Sequence, residues 1–121
     1  MAQTFNSPIQ TYTSQGTIAP YSFVKAGAGN FTAAQATAAA DDFLGLSDDL
    51  GNLPILRVDV AVIPCFWKVK LGGTVARGAK LTSNAAGLGV AAAAGNNYAA
   101  IAETDGVAGD IIDCRIMFGK A

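Results

Sequence analysis

Arg57-Val58-Asp59-Val60-Ala61-Val62 is the most regular stretch of the chain. Val58, Val60 and Val62 fall on one face, and Arg57, Asp59 and Ala61 fall on the other. A period of two with β-branched residues on one side predicts a half-buried β-strand. Pro64 limits how far that ladder can continue. Just beyond it, Trp67-Lys68-Val69-Lys70-Leu71 repeats the alternation, with Trp67, Val69 and Leu71 inward and both lysines outward. Gly72-Gly73 then suits a two-residue hairpin or a longer loop.

The same grammar extends in both directions. Toward the N-terminus, Tyr21-Ser22-Phe23-Val24-Lys25 has strand composition and is entered by Pro20. The turn Ala26-Gly27-Ala28-Gly29-Asn30 lets Phe31-Thr32-Ala33 pair back against it. Phe43-Leu44-Gly45-Leu46-Ser47 is a further strand, ended by Asp48-Asp49 and Gly51-Asn52. Toward the C-terminus come Lys80-Leu81-Thr82, then 88–93, then 98–103 up to the turn Asp105-Gly106. The last strand is Ile111–Phe118, with Ile112, Cys114, Ile116 and Phe118 on one face and Asp113 and Arg115 opposite. Short strands at regular spacing with glycine turns predict an all-β fold, a small barrel or a sandwich of antiparallel strands.

Alanine is the best helix former, so the alanine-rich stretches need separate treatment. Ala91–Ala94 lies between Gly89 and Gly95 and is too short to hold a helix alone. Ala33–Asp42 leaves one short helix open. Against it stand the lack of large apolar residues at helical spacing and two aspartates at the unfavourable end of the dipole. Residues 1–16 carry no charge and few large apolar groups, and are expected to form an extended arm before a single β-rich domain, 17–121. Such an arm either frays or orders against a neighbouring subunit.

The 121 residues make one domain's worth of chain, long enough to fold without staples. Apolar residues reach 51% and mean hydropathy is +0.35. Much of that is alanine, and the long uncharged windows are broken by Gly, Asn, Ser and Thr. No membrane span is expected. The N-terminus lacks a basic region followed by an apolar core, so no secretory signal is expected. Cys65 and Cys114 match no metal spacing and suit buried thiols, with a disulfide between adjacent strands as the alternative.

With no histidine, triad and Cys-His catalysis, His-ligated metals and imidazole switching are excluded. A net charge of −1 removes the electrostatic footprint of a general nucleic-acid binder. Gly73–Leu81 approaches a phosphate-binding loop, but Ala79 separates the second glycine from Lys80 and Leu81 stands where the hydroxyl is needed. Asp41-Asp42 and Asp48-Asp49 suit solvated turns better than acid–base work, which needs two different environments. Glu103, Asp105 and Asp110 match no calcium-loop spacing. Lys68 and Lys70 beside Trp67 form a small basic stripe, either a solvated face or a contact for an acidic protein surface. No enzymatic activity, cofactor or metal is expected.

In order, Ala19–Lys25, 44–48, Arg57–Val60, Val69–Gly78, Leu81–Asn84 and Ala102–Ile112 resemble the tailed-phage capsid cement, or head decoration, protein family. The resemblance covers about nine-tenths of the chain and is most specific in Gly72-Gly73-Thr74-Val75 through Leu81-Thr82-Ser83 and in Asp105-Gly106-Val107-Ala108-Gly109-Asp110-Ile111-Ile112. It implies a β-rich structural virion protein, made in the host bacterial cytoplasm, that sits on the capsid exterior. It implies a homotrimer that clamps neighbouring major capsid protein subunits, with no nucleic acid or membrane partner. The sequence departs from the family pattern at Ile63-Pro64-Cys65-Phe66-Trp67, marking a local contact site. The candidate capsid or subunit contacts are Phe5, Pro8, Ile9 and Tyr12 in the arm, Phe66 and Trp67 within the departure, and Lys68 and Lys70 just beyond it. Another phage structural module, in the minor head or the tail, is the alternative.

Overall fold

The computed structural model describes residues 9–53, 57–62 and 65–121. Ten strands follow one another: β1 (Ile9–Ser14), β2 (Phe23–Ala26), β3 (Thr32–Gln35), β4 (Phe43–Leu53), β5 (Arg57–Ala61), β6 (Phe66–Lys70), β7 (Lys80–Ser83), β8 (Gly89–Ala91), β9 (Asn97–Ala102) and β10 (Ile111–Lys120). No helix occurs among the described residues. The first five strands close into a barrel in the order β1-β3-β2-β4-β5, with β5 pairing back onto β1. The other five form a sheet in the order β6-β10-β9-β7-β8. The all-β expectation is met, as a barrel with a second sheet packed on it.

Several local expectations change. Ile9–Ser14, placed in an arm by the sequence, form a barrel strand that pairs antiparallel with β5 from Ile9↔Ala61 to Thr13↔Arg57. Phe5 and Pro8 lie outside the described residues. Pairing is not wholly antiparallel: β1 runs parallel to β3 through Thr13↔Thr32 and Ser14↔Ala33. The candidate helix over Ala33–Asp42 is replaced by the end of β3 and a turn. There the Asp41 carboxylate accepts the Thr37 and Ala38 backbone N–H groups at 2.8 and 3.0 Å. That is the alternative to helix that aspartate offers the backbone. Gly72-Gly73 is not a hairpin: Leu71 bridges Gly89 and Val75 bridges Gly106 across a longer excursion.

β4 runs past its expected end at Ser47 to Leu53, with an irregularity between Ser47 and Asn52 where it pairs with β5. On β5, Val58 and Val60 are fully buried as expected, but Ala61, expected outward, is fully buried as well. β5 is therefore covered on both sides at its end. Phe118, expected inward, is 42% exposed. A bulge between Ile116 and Gly119 interrupts the alternation and turns the end of β10 outward.

The core has two parts. A small cluster of Ile18, Val24, Ala33, Val58 and Val60 is confined to the barrel half. A larger one joins barrel residues such as Phe23, Leu46 and Ala61 to Val69, Leu71, Leu81, Ile112, Cys114 and Ile116 of the second sheet. Phe23 and Leu46 each bury a whole side chain there, which contributes about 1.5–3 kcal/mol apiece. Polar joints reinforce the contact. The Gln35 side chain accepts the Ala19 N–H at 2.8 Å and donates to the Ala86 carbonyl at 2.9 Å. Phe23 donates its backbone N–H to the Gly87 carbonyl at 2.9 Å.

Candidate functional site at the β6 edge

One groove lies where the barrel meets the edge of the second sheet. It has a volume of about 330 Å³ and is lined by Tyr21, Asp48, Phe66, Trp67, Lys68 and Asp113. Alternate residues of a strand point to opposite faces, so a groove lined by Phe66, Trp67 and Lys68 together must wrap a strand edge. β6 is an edge strand, which makes this possible.

Tyr21 and Trp67 are held in place by hydrogen bonds. Tyr21 sits in the left-handed region at φ 52°, which bulky residues rarely adopt. Its N–H donates to the Asp48 carbonyl at 3.1 Å, and its own carbonyl accepts the Lys70 N–H at 3.0 Å. These two bonds tie the β1–β2 connection to β4 on one side and β6 on the other. Left-handed geometry costs roughly 1–2 kcal/mol for a residue with a Cβ. Trp67 donates its indole N–H to the Ser47 carbonyl at 3.0 Å. Ser47 is buried, and its hydroxyl accepts the Ser22 N–H at 2.9 Å and donates to the Ala19 carbonyl at 2.7 Å. Phe66 stands 73% exposed.

The charges are arranged across two strands. Lys68 faces Asp113 in the β6–β10 register, and its ammonium donates to the Asp113 carboxylate at 2.7 Å. That hydrogen bond and the adjacent negative charge push the Lys68 ammonium above its ordinary range. The basic stripe is thus half neutralised. Lys70 is exposed on the same strand but does not line the groove.

Of the sequence candidates, the structure brings together Phe66, Trp67 and Lys68. Ile9 and Tyr12 lie elsewhere, partly buried in the barrel wall, Ile9 against the larger core cluster and Tyr12 against the smaller. Tyr21, Asp48 and Asp113 belong to the groove but carry no signal in the sequence. Only the Lys68↔Asp113 register and the backward tie at Tyr21 reveal them.

The other chemical candidates are occupied locally. Asp105 accepts the Arg77 N–H at 2.7 Å, Asp110 accepts the Val107 N–H at 3.0 Å, and Glu103 pairs with Arg115. Among the described residues no group of three or more His, Cys, Asp or Glu converges on a metal position. Lys80 opens a strand where a phosphate-binding loop would need a helix. Cys65 and Cys114 are both thiols. Cys114 is buried and burial pushes it up to about 12, with the nearby Cys65 adding to the shift. Cys65 is half-buried and burial raises it too.

What the groove offers is contact chemistry: three aromatic surfaces, two carboxylates and an ammonium. The frame presenting it is a closed five-stranded barrel carrying a five-stranded sheet. That frame is similar to a solved structure described as head fiber gp8.5 N base in bacteriophage phi29, with a TM-score of 0.63 and 18% identity over 93% of this chain and 96% of that one. The likeness shows a shared fold. The chain matches no family model and no curated protein sequence.

Proposed function

We propose that this chain is a structural virion protein of a bacteriophage head, bound to the capsid exterior, where it cements neighbouring major capsid protein subunits. The observation that carries the reading is the end-to-end likeness to a phage head-fiber base, which spans nearly all of both chains. The resemblance of the sequence segments to head decoration proteins points to the same compartment. The role asks for rigid contact faces rather than catalysis. Exposed Phe66 and Phe31 supply apolar contact area. Small alanine and glycine side chains cost little entropy on docking. Repetition of a modest contact over a capsid lattice, with further help from a homotrimer, would raise holding strength through effective concentration.

Co-sedimentation with purified heads is the test. The protein should travel with expanded heads, and heads lacking it should lose resistance to heat. Heads of unchanged stability with no protein on their surface would overturn the reading. The fiber-base likeness also favours a second reading, a minor head module serving as a base for an appended structure. Copy number separates the two. Cementing requires occupancy across the lattice, whereas the second reading is compatible with restricted sites.

A further inference from the structure

We infer that the outward face of the β6–β10 ladder docks on a capsid subunit, against an apolar patch that carries a carboxylate opposite Lys70. The inference rests on the head-binding reading and adds to it the face used and the chemistry of the partner. The register sets Lys70 opposite Ile111, Lys68 opposite Asp113 and Phe66 opposite Arg115. Directly opposed residues share a face of the sheet. Ile112, Cys114 and Ile116, which alternate with them on β10, are buried on the other face, so this one turns to solvent. Phe66 is 73% exposed there and Ile111 50%. Met117 joins them: it is exposed, and the Arg115 guanidinium donates to its sulfur at 3.8 Å. Single exposed apolar residues are ordinary, whereas apolar residues gathered on neighbouring strands mark an interaction surface.

The charges on this face define what the partner must carry. The Lys68 ammonium is taken by Asp113 at 2.7 Å, and the Arg115 guanidinium pairs with Glu103. Both carboxylates are therefore engaged within the chain. The Lys70 side chain has no ion pair among the described residues, and only its backbone N–H is taken, by the Tyr21 carbonyl. Docking would cover that ammonium beside Ile111, and a covered charge needs a counter-charge. A second copy meeting the first through this same face would offer no free carboxylate, because Asp113 and Glu103 are already paired. A nucleic-acid backbone would call for several free cations. The surface that fits is a different protein, aliphatic at the centre with one acidic side chain at Lys70. Phe66 is then the aromatic anchor, a residue type enriched at the cores of such contacts.

The full chain would be mixed with increasing concentrations of purified heads that lack it, and the unbound fraction read after sedimentation. Phe66→Ala should weaken binding at least about tenfold, as the loss of a central aromatic anchor does. Lys70→Glu should weaken it at least about tenfold, because it sets two carboxylates against each other, and Lys70→Ala about three- to tenfold. Arg57→Glu makes the same change of net charge at an exposed position on barrel strand β5 and should alter binding less than about twofold. Phe66 and Lys70 are exposed, so these variants should keep the wild-type melting temperature. Wild-type affinity in Phe66→Ala or Lys70→Glu would overturn the inference, as would an equal loss in Arg57→Glu, which would mean that net charge alone matters. A Phe66→Ala variant that abolishes self-association of the free chain and leaves head binding intact would assign the face to a second copy instead. If the wild-type chain does not bind heads, the head-binding reading falls and the inference falls with it. Wild-type binding that the Phe66 and Lys70 variants leave unchanged removes the inference alone.

Discussion

Around the barrel every strand has two hydrogen-bonded neighbours, whereas the second sheet ends at β6 on one side and β8 on the other. Closure removes the unpaired N–H and C=O groups that make sheet edges sticky. The open sheet must manage its edges by other means. β8 is only three residues long, and the Leu71↔Gly89 bridge brings the two edges together at one point. β6 carries outward lysines, and the Tyr21 carbonyl takes the Lys70 N–H. The groove lies at this guarded edge: the open half supplies Phe66, Trp67, Lys68 and Asp113, and the barrel half adds Tyr21 and Asp48 and braces them. The two halves also differ in core. The barrel cluster is small and made of Ile, Val and Ala, while the larger cluster needs residues from both halves.

The largest effect should come from breaking barrel closure. Gly45 has φ 155°, and a Cβ there would lie 1.7 Å from the Ala61 carbonyl oxygen on β5. Backbone cannot yield to that clash without parting β4 from β5. Gly45→Ala should cost about 4 kcal/mol or prevent folding, as read by urea unfolding. If the variant retains its midpoint, the barrel seam is not the critical closure.

The shared core should rank next. Phe23 is fully buried and packs against Phe43 at 5.2 Å between ring centroids. Phe23→Ala should cost about 3–5 kcal/mol, against about 2 kcal/mol for Val58→Ala within the barrel cluster. Equal losses would erase the distinction between the two cores. Between these sits the polar joint. Ser47→Ala should cost about 1–3 kcal/mol, because it strands the buried Ser22 N–H and removes a hydrogen bond to the part-buried Ala19 carbonyl. It should also change Trp67 emission, since Ser47 carries the carbonyl that holds the indole.

The second sheet offers a pH test. Cys114 has its folded pKa raised from 9.0 to about 12 by burial. A raised acid pKa means that the unfolded chain releases its proton first as pH rises. Its contribution is intact below pH 9 and is lost progressively from about 9 to about 12. Cys114→Val should flatten that alkaline decline in a pH series of unfolding midpoints, and an unchanged slope would count against the burial. In the native protein, a thiol reagent should label half-buried Cys65 before Cys114.

The smallest effect should be a gain. Thr82 is buried in β7 and its hydroxyl has no hydrogen-bond partner among the described residues. Thr82→Val replaces that hydroxyl by a methyl and should be neutral or stabilising by up to about 1 kcal/mol, measured by thermal unfolding. A clear loss would mean that the hydroxyl is satisfied by water.

Much of the strand content is legible in the chain. The alternations at Val58-Asp59-Val60 and Trp67–Leu71 place the right residues inside, and Ile112, Cys114 and Ile116 share the buried face expected of them. Ala61 and Phe118 depart from alternation for two different reasons. Ala61 is covered because the second sheet packs over its side of the barrel, a contact between segments distant in sequence. Phe118 turns outward because a bulge displaces it, and no residue type announces that bulge. The candidate site divides in the same way. Phe66, Trp67 and Lys68 stand out as aromatic and basic neighbours on one strand. Asp113 reaches Lys68 only through β6–β10 pairing, 45 positions away in sequence, and Tyr21 and Asp48 reach the strand only because the barrel packs against the β6 edge.

Composition and periodicity by themselves determined an all-β chain and ruled out histidine chemistry, because backbone alternation and side-chain inventory are local properties. Only the tertiary structure decided that Ile9–Ser14 close a barrel and that Lys68 meets Asp113 beside three aromatic rings. Those outcomes depend on strand register and on the packing of one sheet against another, which are set by the summed burial of both halves and not by any single segment.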